Sequence, residues 1–491
     1  MMIAKVDPDR SEWDVIVLGG AAAGENAAQY ATQYSGLSSV IVESDLLGGE
    51  CSYWACMPSK ALLRPVEVVD AAAHLPGVSA RLDPAGVLAL RDVVVHDRED
   101  GSQVQWALDT GIDLVRGHGR LTGERTVAVT RQDGSVSTLG ARHAVVIDTG
   151  SAPSIPDLPG LRAALPWTSR DVTSMREVPG RVVVMGGGVV ACEAATWLRG
   201  LGADVTMVQR GDQLLTRYEP FAGDLVAQEL RANGVRVLLD RTLSEVRRSD
   251  VRDSGYGHVH GGEVGITLDD GNALAADEIV VAAGRTPNTG DIGLETVGLS
   301  PGGFLDVDDQ QCVRGAGPWL YAIGDACGRA LLTHMGKYQA RIAGDTIAAR
   351  AAGRTDLPSS AIGHRGLPQV TFTSPEVGSA GITERQAREE GLDVETVEYD
   401  MAALAGTYVL RPDYRGRAKL VVDRADDVLA GATFVGAGIA ELVHSATTAI
   451  VGRVPLSTLW HVVPSYPTAS EVWLRLLEQL RSQRHSATGD E

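Results

Sequence analysis

"WDVIVLGGAAAGENAAQYA", residues 13–31, reads as a short apolar strand, a glycine turn and an alanine-rich helix. Such a turn lets a pyrophosphate sit on the N-terminus of the helix, where unpaired backbone N–H groups and the helix dipole meet an anion. Gly19, Ala21 and Gly24 occupy the places of the G-x-G-x-x-G pattern, so an alanine stands where the backbone would approach the phosphate. The next apolar run, "SSVIVES", ends in Glu43, 19 residues after Gly24, where a carboxylate would accept hydrogen bonds from a ribose. A glycine turn made only for strand-to-helix packing is the plainer alternative.

The design returns 167 positions later in "RVVVMGGGVVACEAATWLRGLGADVTMVQ", residues 181–209, with Gly186, Gly188 and Ala191 in the pattern positions. Here the second strand ends in Gln209 and Arg210, where an NAD-binding unit usually carries an acid. Glutamine does not repel a 2′-phosphate and arginine can pair with it. The unit therefore points to NADPH, with NADH possible and Arg217 a second candidate contact; a solvated surface arginine is the alternative. Two dinucleotide sites in one chain imply one fixed cofactor and one exchanging one, the layout of a flavoenzyme reduced by a nicotinamide.

Size and composition agree with this. A chain of 491 residues exceeds one ordinary core, so about three domains are expected. Abundant glycine (57 residues) with 5% aromatics favours an α/β protein with many tight turns. The net charge of −19 argues against a nucleic-acid or anionic-membrane surface. "MMIAKVDPDRSEWDV" lacks the apolar run of a signal peptide and no stretch approaches 18 apolar residues, so a soluble cytoplasmic protein without membrane insertion is expected. Five cysteines, at 51, 56, 192, 312 and 327, are too few for a secreted disulfide scaffold.

At this point the chain resembles the class I pyridine nucleotide-disulfide oxidoreductases, the group of lipoamide dehydrogenase, glutathione reductase and mercuric reductase, over roughly residues 13 to 475. "GGECSYWACMPSK" (48–60) is similar to the family's redox-active segment. "VVIDTGSAPSIPDLPG" (145–160), with Gly150, and "VVAAGRTPNT" (280–289), with Gly284, resemble its domain-crossing segments. "LYAIGDACG" (320–328) is similar to its second flavin motif, and "LPQVTFTSPEVGSAGITE" (367–384) to the opening of its dimerisation domain. The resemblance implies two Rossmann-like dinucleotide-binding domains and an α+β C-terminal dimerisation domain. The FAD-binding domain would be discontinuous, 1–165 and 287–355, with an NAD(P)-binding domain at 166–286 and the dimerisation domain at 356–491. It also implies FAD held by Gly19, Ala21, Gly24, Glu43, Gly150 and Asp325, NADP held by Gly186, Gly188, Ala191, Arg210 and Gly284, and a homodimer with active sites shared across its interface. The apolar stretches "ATTAIVGRV" and "EVWLRLLEQL" are read as interface.

The cysteine pair carries a geometric constraint of its own. Five residues of regular helix separate Cα atoms by roughly 8.6 Å, whereas a disulfide seldom tolerates about 7 Å. Pro58 fits a first helical turn, which places Cys51 in an approach loop and Cys56 near a helix start, where the positive helix end favours a thiolate. A zinc half-site would need two more soft ligands nearby, and no C-x-x-C or His partner accompanies the segment, so no metal is expected. Inert buried thiols are the remaining alternative. By resemblance the pair is a redox-active disulfide, opened by the reduced flavin to leave a thiolate at Cys56 and a substrate-facing thiol at Cys51. Lys60 would lie near the flavin and pair with Glu193. Cys192, Cys312 and Cys327 read as packing residues.

The chain departs from the family near its end. Disulfide reductases of the family carry a segment like His-Pro-Thr-x-x-Glu, whose histidine shuttles a proton. Here "HVVPSYPTASEVW" (461–473) puts Tyr466 in the histidine place and keeps Glu471 as the orienting carboxylate. Tyrosine, with a reference pKa of about 10, cannot cycle protons as imidazole does; His461 is a candidate substitute. Mercuric reductases carry a tyrosine near this place but also a C-terminal cysteine pair, and this sequence has no cysteine after Cys327. The leading reading is an NADPH-dependent reductase of a small-molecule or protein disulfide. The alternatives are an NAD(P)H:quinone reductase of diaphorase type, a mercuric reductase and a non-catalytic flavin-binding component.

Overall fold

The computed structural model describes residues 10–360, 363 and 366–488; the start of the segment read for a leader lies outside them. Contacts divide the chain into two compact units, one of 1–58, 91–154 and 284–360, the other of 59–90, 155–283 and 361–491.

The first unit is built on the opening strand, Glu12–Leu18. It pairs in parallel with Ser39–Glu43 on one side and Val136–Ile147 on the other. Ile112–Arg116 and Leu320–Ala322 extend the parallel sheet, and two antiparallel strands, Thr126–Thr130 and His118–Gly123, complete seven strands. Both faces are buried: Ile16 and Leu18 face one core, Val15 and Val17 the other. That explains why the strand reads as a continuous apolar run rather than an alternating one. The helices Ala22–Thr32 and Thr333–Ala351 pack along one another on the second face.

In the second unit four parallel strands lie in the order Arg236–Leu238, Asp204–Val208, Arg181–Met185 and Glu278–Val281. A three-stranded antiparallel sheet (Leu243–Arg248, Val264–Leu268, Ala273–Ala276) follows within the same segment. The C-terminal part is a five-stranded antiparallel sheet in the order Pro368–Thr371, Glu376–Gly381, Val428–Gly436, Arg417–Asp423, Val394–Asp400. The fold is thus α/β with two doubly wound nucleotide-binding sheets and an α+β C-terminal part.

The two stretches read as interface are largely core. Val443, Ala446, Ala449 and Ile450 of the helix Leu442–Val451, and Val472, Leu476, Leu477 and Leu480 of the helix Glu471–Thr488, are buried against the C-terminal sheet. An apolar helical run cannot by itself say whether it covers its own sheet or another subunit. The exposed large apolar side chains of this region are Tyr408, Val409, Leu410, Trp460, Val462, Val463 and Tyr466, with Val451 of the first stretch. Among the described residues no helix is long and apolar enough to cross a membrane.

Candidate active site

In the first unit the glycine turn does what its composition requires. Gly19 sits at φ +98°, and a Cβ there would lie 2.1 Å from the Asp148 carbonyl oxygen. Ala21 is extended and offers no side-chain cap to the helix Ala22–Thr32, which leaves the Ala22 and Ala23 N–H groups at its start for an anion. Gly24 N–H donates to Asp148 Oδ2 at 2.5 Å, and Gly20 N–H donates to Glu43 Oε2 at 2.7 Å. Gly19→Ala should therefore lose at least about 2 kcal/mol of stability and fail to take up FAD, read by thermal denaturation and flavin absorbance.

The cysteine segment folds back on this turn. Gly49 (φ +63°) packs so closely on Ala21 that a Cβ would lie 2.6 Å from the alanine's own. Cys51 lies in a five-residue helix, Gly49–Tyr53, not in a loop; the chain breaks at Trp54 (φ −131°), and Cys56 opens the helix Cys56–Ala73. The break is what brings two sulfurs together that a regular helix would hold apart. Both are free thiols. The Cys56 sulfur beside it, and burial, hold the Cys51 thiol far above its ordinary value. Thr333 Oγ1, at the first position of the helix Thr333–Ala351, lies 3.4 Å from Cys56 Sγ. Sequence reasoning missed Thr333, since 277 residues separate it from Cys56.

Asp325 lies in a short turn, Gly324–Cys327, where it accepts from Ser151 Oγ at 2.5 Å and lies 3.5 Å from Arg285 Nε. Gly150, just before Ser151, faces open space at φ +68°. Two further buried acids went unread: Asp148, whose carboxyl burial pushes well above the ordinary range, and Glu25. Gly284 (φ +122°) falls in this unit, apart from the other four residues assigned to the nicotinamide.

In the second unit Gly186 (φ +128°) and Gly188 lead into the helix Val189–Gly200, also without a side-chain cap, with Ala191 buried. Gln209 turns back to Gln213 O at 3.2 Å, and Arg210 is exposed. Glu193, 3% exposed, receives Lys60 Nζ at 2.8 and 3.1 Å and the Phe372 N–H at 2.9 Å; the ammonium also stands 4.7 Å from the Phe372 ring centroid. Tyr466 is 75% exposed in the loop before the helix Glu471–Thr488. Glu471 is buried, and its Oε2 has no hydrogen-bond partner among the described residues. Asp70, His74 and Glu229 form the metal-like cluster among the described residues, but Arg411 reaches into it, 3.2 Å from Asp70 and 2.8 Å from His74. Cys192, Cys312 and Cys327 are buried.

The chain as a whole has counterparts among known proteins. The family described as pyridine nucleotide-disulphide oxidoreductase matches residues 13–344, and its dimerisation domain matches 367–476. The chain belongs to this family. It is 31% identical to a dihydrolipoyl dehydrogenase of Chlorobaculum tepidum, over 95% of this chain and 97% of the relative. To a mercuric reductase of Staphylococcus aureus it is 28% identical, over 94% and 81%. The structure of LpdA from Mycobacterium tuberculosis superposes with a TM-score of 0.81 at 24% identity, over 96% of this chain and 100% of that one. The family uses FAD and NAD(P)H, so the chain is an NAD(P)H-dependent flavoprotein disulfide oxidoreductase. The match to the dimerisation domain supports a homodimer. The first unit fits FAD on its own observations: a helix start whose N-cap residue offers no side-chain cap, the Glu43 carboxylate at the end of the second strand, and the buried Thr149 Oγ1 beside Gly150, which has no hydrogen-bond partner among the described residues.

Proposed function

We propose that the protein is an NADPH-dependent reductase of a disulfide, in which Cys51 and Cys56 open and close as a redox-active pair. The contact of these two sulfurs, with a threonine hydroxyl and a helix start beside Cys56, carries the reading. FAD, when bound, supplies two-electron chemistry between the nicotinamide and the sulfurs. Gly19, Ala21, Gly24, Glu43, Gly150 and Asp325 would hold it. The domains would be 1–165 with 287–355 for FAD, 166–286 for the nicotinamide and 356–491 for dimerisation, whereas contacts alone group 59–90 with the second unit and 284–286 with the first. Cys56 carries the negative charge, stabilised by the Thr333 O–H and the positive helix ends, while Cys51 keeps its proton and meets the substrate. Lys60, held by Glu193, places a cation on the flavin side. Tyr466 and Glu471 serve the partner subunit's cysteines across the dimer interface. Anaerobic addition of NADPH should expose two thiols per chain and produce a long-wavelength band from a thiolate; a preparation in which no new thiol appears overturns the reading.

Gly186, Gly188, Ala191, Arg210 and Gly284 would hold NADPH. What supports the phosphate preference is Gln209 and the exposed Arg210, neither of which repels a 2′-phosphate. Arg210→Ala should weaken NADPH about tenfold to a hundredfold and leave NADH nearly unchanged, measured as KM or Kd. Equal losses for both nucleotides would place the 2′-phosphate elsewhere. Relatives named mercuric reductase make mercuric ion a second acceptor to assay, although no cysteine follows Cys327 to deliver it.

A further inference from the structure

The break between the two cysteines is held from outside the cysteine segment. Trp54, the residue of the break, carries an indole met by the Arg98 guanidinium, 4.7 Å from the ring centroid. Two residues on, Asp100 Oδ2 accepts the Leu47 N–H at 2.7 Å, just ahead of Gly48 and Gly49, whose φ are +110° and +63°. The stretch 98–100 therefore grips the helix Gly49–Tyr53 at both ends, across two left-handed glycines that would otherwise let it swing. The gripping stretch is itself strained. His96, Asp97 and Arg98 have φ of +50°, +50° and +60°, a left-handed turn built without glycine. The Arg98 N–H closes it on Val95 O at 2.8 Å, and the Glu99 N–H on His96 O at 2.9 Å. L-residues visit this region singly and at a cost, and such strain persists where the surroundings over-determine it, most often at working sites. Here the bracing is electrostatic: Asp92 lies 3.6 Å from Arg98 Nη1 and accepts from the fully buried Arg91 at 2.8 Å, and Arg116 pairs with Asp100.

We propose that Arg98 is a positioning residue for the redox pair: stacked on Trp54, it holds the break that keeps the Cys51 and Cys56 sulfurs together, and so makes their disulfide harder to reduce. The inference rests on the redox role of Cys51 and Cys56. A helix running straight through Trp54 would part the sulfurs. The break stands with both thiols free, so it does not depend on an S–S bond. Reduction breaks that bond with two electrons from the nicotinamide and one proton, leaving a thiol at Cys51 and a thiolate at Cys56. Once the bond is open, the stack keeps the sulfurs near one another. Without it the reduced pair gains freedom, and reduction becomes easier. A cation stacked on an indole is worth about threefold to thirtyfold in an equilibrium.

The test is the midpoint potential of the Cys51–Cys56 pair in the FAD-loaded enzyme, set by thiol–disulfide buffers at about pH 7 and read by thiol trapping. Thermal denaturation of the same preparations runs beside it. Trp54→Leu and Arg98→Gln should each make the disulfide about tenfold easier to reduce, a rise of ~30 mV. The double variant should rise no further than either alone, because both remove one stack. Trp54→Phe keeps an aromatic face for the guanidinium and should stay within about twofold of the wild type. An arginine acting only through its charge on the thiolate would move Arg98→Gln the other way and leave Trp54→Leu unmoved. Shifts of opposite sign, additive shifts, or lower melting temperatures at an unmoved potential overturn the positioning role. Where Arg98→Gln does not take up FAD, Trp54→Leu against Trp54→Phe decides. If NADPH exposes no thiol in the wild type, the redox role of the pair falls and the positioning with it. Thiols exposed in the wild type, with one potential across all variants, remove the positioning alone.

Discussion

Cys51→Ser loses disulfide turnover by at least about a thousandfold, the scale on which removal of a nucleophile is felt, while the thiolate band persists. In the proposed cycle Cys51 is the thiol that attacks the substrate disulfide, so its loss removes the first bond to form. Cys56 would still carry a charge beside Thr333, whose hydroxyl lies 3.4 Å from its sulfur. Cys56→Ser loses the same turnover and the band as well, because the charged sulfur is gone. The two variants therefore differ in spectrum and agree in rate. A band lost in Cys51→Ser and kept in Cys56→Ser would exchange the two roles. Quinone turnover that survives Cys51→Ser, with no disulfide reduced by the wild type, would move the protein to the diaphorase reading.

Tyr466→His raises disulfide turnover, by as much as about 10²–10⁴-fold where the imidazole is well placed, the range of general acid–base assistance. A departing thiolate with a reference pKa of about 8.5 leaves poorly at pH 7 without a proton. Tyrosine can donate a hydrogen bond to it but regains its proton slowly from water. The local structure favours the substitution in two ways. Tyr466 is exposed within its own chain, so the exchange disturbs no packing there, and Glu471 is buried with an oxygen that has no hydrogen-bond partner among the described residues. A histidine N–H could supply one and be oriented by it. Quinone reduction should be indifferent to the change. An unchanged rate across a panel of disulfides would show that proton delivery does not pass through position 466.

Much of the nucleotide-binding architecture was legible because its signals are local. A strand of consecutive apolar residues, a glycine turn and the start of an alanine-rich helix all lie within some 15 residues of Gly19. The same holds at Gly186. Helix geometry alone also required a distortion between Cys51 and Cys56, and the sequence of the segment placed Cys56 at a helix start. It misplaced Cys51, because a five-residue helix has no periodicity to read. The apolar stripe of Glu471–Thr488 was legible as apolar but not as core: it looks the same whether it covers its own sheet, as it does, or a partner as well.

What only the tertiary structure decided are the encounters between residues far apart in the chain. Thr333 comes to Cys56 across 277 positions, Phe372 N–H to Glu193 across 179, and Ser151 to Asp325 across 174. Each is a hydrogen bond made by packing whole elements together, and no residue type or spacing announces it. Glu25 is the sharpest case. In the sequence it is an acid in the first turn of a helix, where acids are common on the surface because the dipole favours them there. The neighbouring helix Thr333–Ala351 packs along that turn, and burial, with the Glu43 carboxylate beside it, pushes the Glu25 carboxyl above the ordinary carboxylate range.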